Sequence, residues 1–112
     1  MTEPRANEPV VVPPPSEDFF AQLAAQSIAL EQNEVDQLRR FLAALYEANA
    51  RFNLTAIREP AEAWTRHVFD SVTLLPLLIS AEAQRVADVG SGGGLPGLVL
   101  AIVMPEVRFT LI

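Results

Sequence analysis

The chain has 112 residues and a formal net charge of −6, a size that allows one small domain at most. With no cysteine and one histidine, a disulfide framework, a thiolate metal site, a cysteine nucleophile and a His-rich metal centre are all excluded. Prolines interrupt every apolar stretch well short of the roughly 18 residues of a membrane span, and the acidic N-terminus is no secretory signal, so the expectation is a soluble, cytoplasmic protein without membrane contact.

Residues 1–15 hold five of the nine prolines. They favour extended polyproline-like backbone and are expected to form a disordered tail. Residues 1–18 carry Glu3, Glu8, Glu17, Asp18 and Arg5, a net −3 that is half of the total charge. The body is therefore less acidic than the whole.

A helical region is expected over 16–84. Ser16 suits a helix N-cap, with Glu17 and Asp18 in the favourable first turn. Phe19, Phe20, Leu23 and Ala24 follow at helical spacing, and a break falls near Ser27 and Ile28. Val35, Leu38, Leu42 and Leu45 predict a long amphipathic helix over about 31–51. Residues 53–59 read as a connection, and Pro60 as the first turn of a further helix. That helix carries Trp64, His67, Val68, Ser71, Val72 and Leu75 until Pro76 interrupts or kinks it. Residues 81–84 read as a polar link.

The pattern changes over 85–112. Residues 85–90 read as a strand, followed by a loop holding all five glycines within eight positions: Gly90, Gly92, Gly93, Gly94 and Gly97. Residues 98–104 are apolar all round and predict a helix buried between a sheet and another layer. Residues 107–112 read as a second strand. Strand, loop, helix and strand make a βαβ unit with a parallel pair. A parallel sheet normally has more strands and is covered on both faces. The chain is therefore expected to be the front part of a longer α/β protein, the rival being a small α+β domain.

The glycine loop is where chemistry is expected. A strand delivers the chain to the edge of the sheet, and glycines let backbone amides approach a ligand that a Cβ would exclude. A dinucleotide would use G-x-G-x-x-G. Gly92, Gly94 and Gly97 match that spacing, but counting from Gly90, directly after the strand, puts Leu95 where a glycine is required. S-adenosylmethionine carries a cationic sulfonium and no phosphate. The acid at the strand end, Asp88, is compatible with a cation and poor for a pyrophosphate. A purely structural glycine turn is the third reading. Both ligand readings call for a ribose-binding acid about 20 residues past the glycines, just beyond Ile112.

On a helix, Arg66 with Asp70 and His67 with Ser71 are i, i+4 pairs. They form a polar patch that is either a solvated ion pair with a bonded histidine or the border of a ligand site. Residues 39–66 carry Arg39, Arg40, Arg51, Arg58 and Arg66 against Glu47, Glu59 and Glu62, the one basic window in the chain. Such a window suits phosphate.

Three motifs carry a resemblance: 53–60 (NLTAIREP), 66–71 (RHVFDS) and 88–97 (DVGSGGGLPG). In this order they resemble the RsmG (GidB) family of bacterial small-subunit ribosomal RNA guanine-N7 methyltransferases, over about residues 16–112. The resemblance implies the start of a class I, Rossmann-like sheet behind an N-terminal helical cap. It implies S-adenosylmethionine as cofactor and small-subunit ribosomal RNA as partner, with no metal. Asp88, Gly90, Gly92, Gly94 and Leu95 would serve the cofactor, and Arg66, His67, Asp70 and Ser71 would position substrate. Family members are about twice this length. Guanine N7 has no proton to remove, so positioning can supply most of the rate, and the lack of an acid–base pair is no obstacle. The alternatives are a dinucleotide-binding oxidoreductase fragment and a non-enzymatic truncated product. Oligomeric state is left open.

Overall fold

The computed structural model describes residues 11–52 and 59–112. The architecture is α/β. Six α-helical segments and one π-helical turn are described, with a two-stranded parallel sheet near the C-terminal end. None of the described helices is long and apolar enough to cross a membrane.

Helix α1 spans Glu17–Ala25, and the Ser16 hydroxyl accepts the Phe19 N–H at 3.1 Å, the N-cap that the sequence predicts. The helix closes with Ser27 at φ 59° while the Ile28 N–H returns to the Leu23 carbonyl at 2.9 Å. This is a Schellman closure with serine at the left-handed position. Helix α2 spans Gln32–Phe52. At its start the Glu34 carboxylate accepts the Glu31 N–H at 2.9 Å, one half of a capping box. Val35, Leu38, Leu42, Leu45 and Tyr46 form its buried stripe. Tyr46 donates a long hydrogen bond of 3.4 Å to the Glu59 carbonyl and so spans the motif over 53–58, which lies outside the described residues.

The helix expected from Pro60 to Pro76 is not a single α-helix. Helix α3 is Pro60–Ala63, a π-helical turn follows over Trp64–Phe69, and helix α4 is Asp70–Val72. A turn at residues 73–74 leads to helix α5, Leu75–Ser80, with Pro76 in its first turn. Proline thus starts the next helix here, which its missing N–H and fixed φ permit. Helix α5 closes as α1 does, with Glu82 at φ 54° and the Ala83 N–H on the Leu78 carbonyl at 3.1 Å.

Strand β1 is Arg85–Asp88 and strand β2 is Arg108–Leu111, paired in parallel from Arg85 opposite Arg108 to Asp88 opposite Leu111. β1 is two residues shorter than expected, because Val89 and Gly90 already turn away. Helix α6, Gly97–Val103, lies between them in sequence. It packs against β2 on one side and against α2 and α4 on the other. Val99 and Leu100 are buried, while Leu98 is exposed, so the expectation of a helix buried all round holds for most of its faces.

The core joins both regions. Phe19, Leu23, Leu38, Leu42, Trp64, Val68, Val72 and Val99 have almost no exposed surface. Phe19 meets Trp64 edge-on with ring centroids 5.5 Å apart, a geometry worth about 0.5–1.5 kcal/mol beyond area burial.

The disorder expected through residue 15 does not extend over residues 11–15. Val12 is buried, and its carbonyl accepts the Arg39 Nε–H at 2.7 Å. The Pro13 carbonyl accepts the Trp64 indole N–H at 2.7 Å. Extended proline-rich backbone has no internal hydrogen bonds, so its carbonyls are available to donors from elsewhere in the fold. Residues 1–10 lie outside the described residues.

Candidate functional site

The glycine loop leaves β1 at Asp88 and enters α6 at Gly97. Gly90, Gly92 and Gly94 all have positive φ, at 78°, 51° and 96°. The Gly90 and Ser91 N–H groups donate to the Ile112 carbonyl at 2.9 and 3.3 Å, and the Gly94 N–H donates to the Ser91 carbonyl at 2.8 Å. The amides of Gly92 and Gly93 reach no backbone acceptor among the described residues. A Cβ at Gly92 would meet no atom within 4 Å. Its backbone conformation requires glycine, and open space lies over it. This is the condition for a ligand to rest directly on loop backbone.

Asp88 serves the loop from below. Its Oδ2 accepts the Gly97 N–H at 2.9 Å, and its backbone carbonyl accepts the Ile112 N–H at 2.9 Å. One residue therefore ties the end of β1 to β2 and to the start of α6. Gly97, which the sequence reading did not place in the site, is what allows this. A Cβ there would stand 2.6 Å from Asp88 Oδ2 and 3.0 Å from the Leu111 side chain. The signal was present in the G-x-G-x-x-G spacing, whose last glycine serves close helix–strand packing.

Arg66, His67, Asp70 and Ser71 line a concavity of about 280 Å³ together with Leu74, Leu95 and Pro96. The polar patch and the end of the glycine loop, some 25 positions apart in the chain, are thus two walls of one open cavity. The Leu95–Pro96 peptide is cis. Arg66 and Asp70 are exposed, His67 is half-buried and Ser71 is buried. Ser71 does not present its hydroxyl as the pattern suggested. It donates to the His67 carbonyl within its own helix at 2.7 Å. Burial pushes the His67 pKa below the ordinary 6.5, opposed by the nearby Asp70 carboxylate. The neutral imidazole is favoured at neutral pH.

The π turn carries Arg66 and His67. Such turns are rare and recur at functional sites. Periodicity did not show it, because apolar residues four apart fit either helix type. Of the basic window, Arg39 and Arg40 lie exposed on α2, whereas the Arg51 side chain and Arg58 fall outside the described residues.

The family model described as rRNA small subunit methyltransferase G (GidB) matches residues 34–112. A curated relative from Sorangium cellulosum, named Ribosomal RNA small subunit methyltransferase G, is 48% identical over 99 residues, covering 88% of this chain and 41% of the relative. Proteins of the same name from Burkholderia ambifaria and Burkholderia multivorans are 49% and 47% identical over 88 residues, covering 79% of this chain and 39% of each relative. The chain thus spans about two fifths of the length of these relatives. The matches run through the glycine loop and the 66–71 motif together, which does not favour the dinucleotide alternative. On this match, the chain belongs to the rRNA small subunit methyltransferase G (GidB) family.

Proposed function

We propose that this chain supplies the helical cap and the first cofactor loop of an S-adenosylmethionine-dependent methyltransferase. Its fold would be class I and Rossmann-like, and its substrate N7 of a guanine in small-subunit ribosomal RNA in the cytoplasm. The observation that carries this reading is the shared cavity, in which Leu95 and Pro96 of the glycine loop face Arg66, His67 and Asp70.

S-adenosylmethionine, when bound, supplies an electrophilic methyl group. The chain's own residues supply place and direction. Gly90, Gly92 and Gly94 give a backbone surface on which the cofactor can lie, and the amides of Gly92 and Gly93 are available to it. Asp88 holds that loop rigid through Gly97. Leu95 offers an apolar wall at the junction with the cavity. Arg66, exposed and always protonated, suits an RNA phosphate. His67, held neutral, suits a hydrogen bond to a base edge or to the methionine end of the cofactor. Guanine N7 attacks with its own lone pair, so alignment is the main contribution asked of the protein.

Calorimetric titration of the protein carrying this chain with S-adenosylhomocysteine tests the reading. Binding is expected, and Gly92→Val is expected to abolish it, because valine is strained at φ 51° and its side chain fills the open space. Binding of a nicotinamide dinucleotide with no response to S-adenosylhomocysteine would overturn the proposal.

A further inference from the structure

The proline-rich residues 11–15 make three contacts with the body. The Val12 side chain is 3% exposed and sits in the main core cluster. Its carbonyl takes the Arg39 Nε–H, and the next carbonyl, of Pro13, takes the Trp64 indole N–H, each at 2.7 Å. These donors belong to α2 and to the first residue of the π turn. Trp64 is itself 2% exposed. A buried indole N–H needs an acceptor, and it takes one from the segment rather than from its own helix. Pro13, Pro14 and Pro15 keep the segment from folding its carbonyls into a helix or sheet. Two residues beyond Trp64 comes Arg66, and one further His67, both lining the cavity against Leu95 and Pro96.

We propose that residues 11–15 are an intramolecular strap. By docking on Arg39 and Trp64 it fixes the start of the π turn and holds Arg66 and His67 at their places facing the glycine loop. Val12, Arg39 and Trp64 are then positioning residues. They touch neither the cavity that the patch lines nor the loop, and act through the turn. The strap does not depend on what the cavity binds.

The chain contains one tryptophan and one histidine, so each gives a single proton-NMR reporter. The indole N–H of Trp64 reports docking, and the imidazole titration of His67 reports the geometry of the cavity wall. Arg39→Ala removes an exposed donor, and Val12→Ser removes the buried anchor. In both variants the indole N–H is expected to exchange at least about tenfold faster, as for local opening of an otherwise folded region. The His67 titration is expected to move up towards its ordinary value as the wall loosens. Val12→Ile is expected to behave as the parent chain. Far-UV circular dichroism identifies a variant that fails to fold; should Val12→Ser do so, Arg39→Ala decides alone. Unchanged indole exchange in a folded Arg39→Ala variant would overturn the strap. Faster indole exchange with an unaltered His67 titration would overturn its positioning role. Neither readout involves cofactor or RNA, so a failed methyltransferase reading leaves this test intact.

Discussion

The Asp88 carboxylate accepts the Gly97 N–H at 2.9 Å, across a loop of eight intervening residues. Asp88→Ala removes an acceptor from a half-buried amide and is expected to destabilise the chain by about 1–3 kcal/mol. Gly97→Ala sets a methyl group 2.6 Å from Asp88 Oδ2 and 3.0 Å from the Leu111 side chain. It is expected to cost a similar amount, about 1–3 kcal/mol, through overpacking. The two losses should add to less than their sum, because they disrupt one contact. Urea unfolding of the two single variants and the double variant measures this. Full additivity would mean that the contact does not hold the loop.

His67 gives stability a dependence on mild acid. Its pKa is lowered in the folded chain, chiefly by burial. Between the ordinary 6.5 of the unfolded chain and the lower folded value, the unfolded state binds more protons. Stability should therefore fall as pH drops from 7.5 into that window. Denaturation midpoints of the parent and of His67→Gln, compared at several pH values, isolate the effect. The parent is expected to lose more stability on acidification than the variant.

Tyr46 acts at the other end of the scale. Burial raises its pKa above 10.0, and the carboxylates of Glu62 and Glu59 raise it further. The unfolded chain ionises first, so stability from this group is present below pH 10 and is lost as pH rises through the folded value. Tyr46 is the one tyrosine, and its ultraviolet titration is expected to midpoint above 10.0 in the folded chain. Tyr46→Phe should remove this part of the alkaline loss.

The helix closures at Ser27 and Glu82 use non-glycine residues at φ 59° and 54°. Left-handed backbone costs a residue with a Cβ about 1–2 kcal/mol, partly offset by the greater unfolded-state freedom of glycine. Ser27→Gly and Glu82→Gly should each stabilise the chain by about 0.5–1 kcal/mol. Thermal melts check this, and a lower melting temperature in both would count against the strain argument.

Much of this was legible in the residues. Ser16 declared its cap, the spacing of Val35, Leu38 and Leu42 declared α2, and the glycines between two short apolar runs declared the βαβ unit. These are local signals, set by neighbours within one turn or one loop. What was not legible depended on partners far along the chain. The acceptors that hold Arg39 and Trp64 lie 27 and 51 residues away, so composition alone assigned residues 11–15 to a tail. Ser71 read as part of an exposed polar stripe because wheel geometry assumes a constant turn, which residues 64–69 do not have. The convergence of Arg66 and His67 with Leu95 was likewise a tertiary fact, reached in the sequence only through the family resemblance.

The π turn also sets a phase. A helix advances by about 100° per residue, so an extra residue accommodated within one turn rotates everything after it relative to everything before it. Deleting one residue within 64–69 would let the segment close as ordinary α-helix, and Val72 and Leu75 would swing off the core while the chain direction barely changed. The segment is thus an index mark in the sequence. Its length, more than the identity of each side chain in it, decides which face of the following helix meets α6.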